Sequence, residues 1–239
     1  MVQGSWRAAA SAEGVTRRCP AASRALAPRV PEFPEFPQSP ESPESVLNPR
    51  QALRNEMRRR RRTLSRSSRV RTARALARHL TGSLRLRRAR RIACYLANDG
   101  EMDLAPVIEF LRSIGREVLL PALHGDGLWF LPYCEDTPMK SNRFGIPEPF
   151  LPPRARCPAR ELDIVLVPLV AVDSTGNRLG MGGGYYDRTF AYLRARSVWR
   201  RPLLIGVAYE FQRVARLPAR AWDIPLDALA TEKQLYLFR

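Results

Sequence analysis

The chain is poor in the residues that build metal centres and disulfide frameworks. Its 239 residues include only two histidines and four cysteines. None of the cysteines, which are Cys19, Cys94, Cys134 and Cys157, has C-x-x-C spacing. The sequence therefore argues against a zinc site or a disulfide framework, and it favours reduced, buried thiols.

Long hydrophobic runs are also absent. The longest apolar run, residues 164–172, is far shorter than the roughly 18 residues that suggest a membrane-spanning helix. No secretory hydrophobic region is present at the start of the sequence. We therefore expect a soluble, cytoplasmic protein without a membrane partner, and import into an organelle by the N-terminal residues stays open.

Lysine is nearly absent, so the positive charge comes from arginine. The formal net charge is +17, and only Lys140 and Lys233 among the 40 basic residues are lysines. Residues 48–91 hold almost all of the excess, with seventeen arginines, one glutamate and the arginine run 58–62. This segment has no interleaved aromatic residues for base stacking and matches no nucleic-acid-binding module. We therefore interpret the run as a solvated helix face and do not expect specific nucleic-acid binding.

Residues 48–239 have the periodicity of alternating helices and strands. Two amphipathic helices are predicted within residues 50–80, with Ser65 as the break or cap between them. Further helices are predicted at residues 104–114 and 188–196. Strands are predicted at residues 92–97, 118–123, 128–133, 162–172 and 203–209. This alternation predicts an α/β fold with three layers, in which a mainly parallel, open, Rossmann-like sheet has helices on both faces.

The most specific motif is DSTGNRLGMGGGYYD, residues 173–187, directly after a predicted strand. Its glycines allow the backbone to approach a polyphosphate closely and to present N–H groups to it. Arg178 adds a forked cation for phosphate oxygens, and Asp187 adds a carboxylate of the kind that binds Mg²⁺. The spacing matches neither a Walker A loop nor a dinucleotide-binding loop. A flexible turn would explain the glycines alone, but the whole unit predicts a nucleoside triphosphate site.

Four ordered blocks resemble the 5-formyltetrahydrofolate cyclo-ligase family, also called 5,10-methenyltetrahydrofolate synthetase. The blocks are RQALR at residues 50–54, YL at residues 95–96 followed by EMD at residues 101–103, GNRLGMGGGYYD at residues 176–187 and WDIPLD at residues 222–227. The resemblance extends over about residues 48–239. It implies one catalytic domain over that range, and we expect a monomer.

The resemblance implies an enzyme that uses ATP and Mg²⁺. In the family reaction, ATP phosphorylates the formyl oxygen of 5-formyltetrahydrofolate, and the N10 amine attacks the activated carbon. The 5,10-methenyl bridge then closes with release of ADP and phosphate, a chemistry that needs alignment and charge neutralisation. A polyglutamylated folate is a further candidate substrate. Two rival functions stay open: a nucleic-acid-binding protein that uses the run 58–62, and a different ATP-dependent ligase or kinase on a similar sheet.

The resemblance also implies the site residues. Arg178 and Tyr186 would be catalytic, and Asp187 and Asp223 would bind Mg²⁺. The residues implied for folate are Leu96, Glu101 and Tyr186. Those implied for ATP are Arg50, Arg54, Arg178, Leu179, Gly180, Met181, Gly182, Gly183, Gly184, Tyr185 and Tyr186. Without the resemblance, Leu96 would be a core residue, Glu101 a charge at a helix start, and Arg50 and Arg54 surface arginines.

The resemblance also bears on two loops, the glycine loop and residues 142–149. Some members carry a second cation in the glycine loop, where this chain has Met181 and Gly183. Phosphate contacts at these two positions would therefore come from the backbone alone. Residues 142–149 resemble the family's loop of variable length, which ends in an Ile-Pro motif near the substrate.

Residues 1–47 lack the side chains that form a hydrophobic core. The Pro, Glu and Ser run at residues 31–45 has few backbone donors and little apolar surface, which predicts a disordered Pro/Arg-rich extension. Residues 1–30 contain five arginines and one glutamate. This composition suits an organellar transit peptide, and it equally suits an upstream extension from a misplaced start codon.

Removal of residues 1–46 is expected to leave turnover and thermal stability nearly unchanged, because these residues supply no core. Thermal melting and an activity assay of the shortened chain, beside the full-length chain, measure both quantities. A large loss of either would show that the extension belongs to the folded enzyme.

Overall fold

The structure is a computed structural model that describes residues 48–195 and 201–238. The predicted extension at residues 1–47 lies outside them. The α-helices are α1 (Pro49–Arg62), α2 (Arg66–Thr81), α3 (Leu84–Arg88), α4 (Ala105–Ser113) and α5 (Tyr185–Thr189). The strands are β1 (Arg91–Ala93), β2 (Glu117–His124), β3 (Gly127–Pro132), β4 (Met139–Ser141), β5 (Pro147–Pro149), β6 (Ile164–Pro168), β7 (Ala171–Val172), β8 (Arg178–Leu179), β9 (Leu203–Val207), β10 (Ala228–Ala230) and β11 (Leu235–Leu237).

The central sheet has seven strands in the order β11-β10-β9-β6-β1-β2-β3. The inner strands from β10 to β2 run parallel, with Ile92 of β1 opposite Ile164 of β6 and Val118 of β2. The edge strands β11 and β3 pair antiparallel with their neighbours. Two short antiparallel hairpins, β4-β5 and β7-β8, lie outside this sheet. The predicted α/β class with a mainly parallel sheet is confirmed.

Successive residues of the inner strands pack on opposite faces, as the pleat requires. Ile164 and Leu166 belong to the cluster beneath α2 and α4, whereas Val165 and Val167 belong to the cluster on the other face. That second face is covered mainly by short elements and by loops. A single helix was predicted at residues 188–196, but the structure has two shorter elements there. Helix α5 ends at Thr189, and the 3-10 turn Ala191–Ala195 follows it.

Three predicted strands differ from the observed ones. The strand predicted at residues 162–172 ends at Pro168, and residues 171–172 instead form β7, which pairs with β8. Proline has no N–H to continue a ladder, which accounts for the break. The strand predicted at residues 92–97 ends at Ala93, after which the Tyr95 hydroxyl donates to the carbonyl of Met102. Finally, the strand predicted at residues 203–209 ends at Val207.

Helices α1 and α2 begin at side-chain caps. The Asn48 Oδ1 accepts from the N–H of Arg50, and the Ser65 Oγ accepts from the N–H of Ser68. The predicted break at Ser65 is therefore confirmed. Met57 of α1 packs in a small cluster with residues of the β7-β8 hairpin and with Leu217. This contact lays α1 across the hairpin and brings the start of the helix to the glycine loop.

The thiol prediction is confirmed in part. Cys94 and Cys157 are free and buried. Cys134 is disulfide-bonded, so the expectation of reduced thiols is wrong for that residue. Within residues 48–195 and 201–238, no helix has both the length and the apolar character needed to cross a membrane.

Candidate functional site

A cavity of about 740 Å³ opens at the carboxyl ends of β1 and β6, where ligands of parallel sheets bind. Its walls come from α1, the segments after β1 and β6, the glycine loop and two loops from distant parts of the chain. All the predicted site residues line it except Leu179, which is fully buried beneath the loop. The structure therefore brings together residues that are up to 173 positions apart.

Arg178 lies on β8 and not in the glycine loop, and its guanidinium is buried. Its Nη2 donates to the Asp187 Oδ1 at 2.7 Å, and its Nη1 donates to the carbonyl of Ile224. Burial lowers the pKa of Arg178, although the charges of Asp187 and Asp223 oppose that shift. Arg178 is thus a fixed cation beneath the loop, and its first role is to hold Asp187.

The glycine loop needs its glycines for backbone reasons. Gly182 and Gly184 have positive φ angles of 111° and 64°, which side chains with a Cβ rarely adopt. A Cβ at Gly183 would lie 2.9 Å from the ring of Tyr185. Arg188 holds the loop from outside, because its Nη2 donates to the carbonyl of Gly183 at 2.6 Å. Sequence reasoning missed Arg188, which the motif gives no signal for.

The backbone N–H groups of residues 181–184 donate to no acceptor in the part of the protein that the structure describes. Because such groups need hydrogen-bond partners, they are available to an anion that enters the cavity.

Two arginines of α1 lie beside this loop. The Arg54 Nε donates to the carbonyl of Gly180 at 2.9 Å, and the Arg50 Nη2 lies 3.5 Å from the Asp223 Oδ2. Burial lowers the pKa of Arg54, and the positive charges of Arg50 and Arg220 lower it further. Three guanidinium groups therefore repel one another at this end of the cavity, and a bound anion would relieve the repulsion.

Asp187 and Asp223, the two carboxylates at this end of the cavity, suit a cation that is also coordinated by phosphate and water. The described residues contain no group of three or more His, Cys, Asp and Glu that could hold a metal ion. The hydrogen bonds of Asp187 and Asp223 each involve one carboxylate oxygen, and the other oxygen has no partner within the described residues. Mg²⁺ commonly takes one or two carboxylates and fills its octahedron with phosphate and water. The donor set fits that arrangement.

The opposite end of the cavity is more apolar. Leu96 and Tyr95 follow β1 here, and Glu101 follows a turn whose Asp99 and Gly100 have φ angles of 49° and 73°. Burial raises the pKa of Glu101, although the N–H of Asn98 and the charge of Arg61 both counteract this. The site thus holds one desolvated carboxylate beside an apolar wall.

Tyr186 lies within electrostatic reach of both ends. Burial raises its pKa well above the ordinary value; the charge of Glu101 raises it further, and that of Arg178 opposes the shift. Its ring stacks on Phe190 with the centroids 6.4 Å apart. The hydroxyl has no hydrogen-bond partner among the described residues and lies against the cavity, so it is free to contact a ligand.

The interpretation of the run 58–62 as a solvated helix face is wrong for part of the run. Arg58, Arg61 and Arg62 all donate to the Asp99 carboxylate, at 2.7, 3.0 and 2.5 Å. Arg61 is only 1% exposed. The carboxylate accounts for the clustering, because it binds three cations of one helix face at once. Sequence reasoning missed Asp99, for which the available signal was its place two residues after a predicted strand.

The β4-β5 hairpin brings a further wall to the cavity. Asn142 and Glu148 brace its turn, since the Asn142 Nδ2 donates to the Glu148 Oε1 at 2.6 Å. Phe144 at the tip is exposed and packs edge-on against Tyr185. Arg143 donates to the Tyr185 hydroxyl. The structure therefore places residues 142–149 at the cavity, and it gives Tyr185 a packing role.

The profile of the 5-formyltetrahydrofolate cyclo-ligase family matches residues 46–232. The chain belongs to this family. A 5-formyltetrahydrofolate cyclo-ligase of Haemophilus influenzae is 41% identical over 180 residues, which cover 74% of this chain and 94% of the relative. The Escherichia coli K12 cyclo-ligase is 40% identical over 153 residues, which cover 62% of this chain and 81% of the relative.

Solved structures of the family have the same fold. The NMR structure of Aquifex aeolicus 5,10-methenyltetrahydrofolate synthetase matches with a TM-score of 0.68 and 33% identity, covering 80% of this chain and 93% of that one. The synthetase of Mycoplasma pneumoniae, at 22% identity and a TM-score of 0.60, supports the fold alone. The family resemblance of the four sequence blocks is confirmed.

Proposed function

We propose that this cyclo-ligase converts 5-formyltetrahydrofolate to 5,10-methenyltetrahydrofolate, with ATP and Mg²⁺, in a catalytic domain of residues 48–239. The observation that carries the proposal is one cavity with two chemically different ends. One end has clustered guanidinium groups and free backbone N–H groups, and the other has an apolar wall beside the desolvated carboxylate of Glu101. We further propose a monomer that works in the cytoplasm on folate, including its polyglutamylated forms.

The cationic end would bind the triphosphate of ATP. Arg54 and the N–H groups of residues 181–184 donate to the phosphates, and Arg50 reaches them from one turn earlier on α1. Asp187 and Asp223 would hold Mg²⁺, which supplies charge neutralisation between the phosphates when it is bound. Arg178 keeps Asp187 in place from below.

The apolar end would bind the pterin. Leu96 packs against the ring, and Glu101 accepts hydrogen bonds from its N–H groups. The free hydroxyl of Tyr186 lines the cavity within electrostatic reach of Glu101 and Arg178, and it would contact the formyl group. The formyl oxygen then takes the γ-phosphoryl group from ATP, and N10 attacks the formyl carbon. The bridge closes as phosphate leaves with that oxygen and N10 loses its proton.

The test is to follow the absorbance of the methenyl product from 5-formyltetrahydrofolate, with ATP and Mg²⁺ present or omitted in turn. We expect product only when all components are present, with one ADP per methenyl bridge. ATP consumption without the methenyl product would support a different ligase or kinase. Salt-sensitive RNA binding without turnover would support the nucleic-acid alternative.

The pH dependence of folate use tests the role of Glu101. The ionised carboxylate can accept from pterin N–H groups with both oxygens, whereas protonation turns one oxygen into a donor and weakens this binding. Burial raises the pKa of Glu101. The acid limb of kcat/KM for folate should therefore lie above the ordinary glutamate pKa of about 4.3. In Glu101→Gln, kcat/KM should fall roughly tenfold to a hundredfold and the limb should disappear. Exposed Glu117→Gln is the control, and an unchanged limb in Glu101→Gln would refute the assignment.

A further inference from the structure

Arg61 is a buried cation that lies outside the cavity wall. Its side chain is 1% exposed, its Nη2 donates to the Asp99 Oδ2 at 3.0 Å, and its Nη1 donates to the carbonyl of Leu169 at 3.4 Å. Its Nη1 also lies 3.8 Å from the Glu101 Oε1. The buried Arg61 Nε has no hydrogen-bond partner among the described residues. Because desolvating a charge is unfavourable, Arg61 would be replaced at little loss if its only role were packing.

Asp99 alone does not account for Arg61. Arg58 and Arg62 already donate to the Asp99 carboxylate, at 2.7 and 2.5 Å, so that carboxylate is neutralised without a third cation. The other carboxylate within reach of Arg61 is Glu101, which has no other cation within salt-bridge distance in the described part of the chain. The charge count therefore pairs Arg61 with Glu101.

The backbone around Glu101 is fixed against the same helix. Gly100 precedes Glu101 with a positive φ of 73°, and a Cβ there would lie 3.1 Å from the backbone carbonyl oxygen of Arg61. The turn is thus in close contact with α1 at the residue that also supplies the cation. Glu101 itself lines the cavity, whereas Arg61 does not.

We infer that Arg61 is a positioning residue for the folate end of the cavity, where it acts from behind the wall to orient the Glu101 carboxylate and to balance its charge. This inference rests on the proposed function, because it gives Glu101 the task of accepting from the pterin. Arg61 contacts no ligand in this scheme. Its effect on catalysis passes entirely through Glu101.

The electrostatics around Glu101 set the expected direction of the pH effect. Burial raises the pKa of Glu101, and the charge of Arg61 lowers it. Removing the cation therefore raises that pKa further, so the acid limb of kcat/KM for folate moves to higher pH. The other titratable groups near Glu101 are Asp99 in its own turn, Tyr95 after β1, Tyr186 in α5 and Tyr209 after β9.

The experiment compares Arg61→Met with Arg61→Lys, and uses Arg59→Met as the matched control on the same helix. Arg59 is exposed, and among the residues that the structure describes it pairs only with Glu56, one turn away. In Arg61→Met we expect the KM for 5-formyltetrahydrofolate to rise roughly tenfold or more, with the KM for ATP changed by less than about twofold. Arg61→Lys should restore part of the loss and part of the pH shift. Equal losses for both substrates, or no loss, would overturn the inference.

A double-mutant cycle with Glu101→Gln separates positioning from general stability. If Arg61 acts through Glu101, adding Arg61→Met to the Glu101→Gln variant should lower its kcat/KM for folate by less than about twofold. Additive losses would overturn the inference. The double variant removes both buried charges together, so its kcat/KM for folate can still be compared with that of Glu101→Gln if Arg61→Met alone folds poorly. Wild-type protein without cyclo-ligase activity would instead overturn the proposed function, and this inference would fall with it.

Discussion

Replacing Asp187 with asparagine is expected to reduce turnover about 10²-fold to 10³-fold, the effect of losing one well-placed electrostatic group in an active site. The Asp187 Oδ1 already accepts from Arg178 and from the N–H of Ile224, so the other oxygen remains for a metal ion. Asparagine can neither hold Mg²⁺ with a negative charge nor balance the buried guanidinium of Arg178. Steady-state turnover over a range of Mg²⁺ concentrations measures the effect.

Asp163→Asn is the matched control for this variant. Asp163 also binds an arginine, Arg201, but it lies at the amino ends of the strands, where it accepts from the N–H groups of Arg90 and Arg91. Asp187→Asn should remain folded with a loss of about 1–3 kcal/mol in unfolding free energy, because a buried cation loses its partner. Denaturation curves report that loss. Wild-type turnover and Mg²⁺ dependence in Asp187→Asn would exclude Asp187 as a metal ligand.

Arg54→Ala should weaken ATP binding by about 2–3 kcal/mol, the range for a lost charged hydrogen bond, and should change folate binding little. The Arg54 guanidinium is held against the glycine loop through Gly180 and lies close to two other arginines. Titration of ATP into the variant and into the wild-type protein at the same ionic strength gives the difference. Neutralising this guanidinium removes a directed contact rather than a diffuse charge.

Arg59→Ala supplies the comparison for Arg54→Ala. Its side chain is 68% exposed and pairs with Glu56, and salt screens such a charge beyond about 8 Å. We therefore expect almost no change in ATP affinity. Arg61, from the same arginine run, is not an equivalent control, because its side chain is buried. Equal losses in Arg54→Ala and Arg59→Ala would mean that the arginines act only as a diffuse field.

The sequence was sufficient wherever a local pattern determines the structure. Helical spacing identified α1, α2 and α4, and the cap at Ser65 marked the break between the first two. The glycine loop could be located because a positive φ or a close approach requires glycine at defined positions, as at Gly182 and Gly184. These signals depend on residues near one another in the chain, so they can be recognised without knowledge of the fold.

The sequence was insufficient wherever the structure of a segment depends on a contact with residues far away in the chain. The arginines at residues 58–62 have the composition of a solvated stripe, and only the turn at Asp99 converts part of that stripe into a buried ion cluster. Likewise, a continuous apolar run could not reveal that Val172 leaves the sheet to pair with Arg178. Strands β10 and β11 have three residues each, too short for an alternating pattern to be recognised.

The contacts of Arg50 have a consequence for how the enzyme is made. Arg50 lies 49 residues into the sequence, yet it donates to the carbonyl of Pro218 and pairs with Asp223, across sequence separations of 168 and 173. Arg178 likewise depends on the carbonyl of Ile224. The nucleotide end of the cavity is therefore closed by residues that are synthesised long after α1. A nascent chain that ends before Pro218 already contains strands β1, β2, β6 and β9, but it has no complete phosphate site. ATP therefore cannot stabilise such a chain until residues 218–224 have been added.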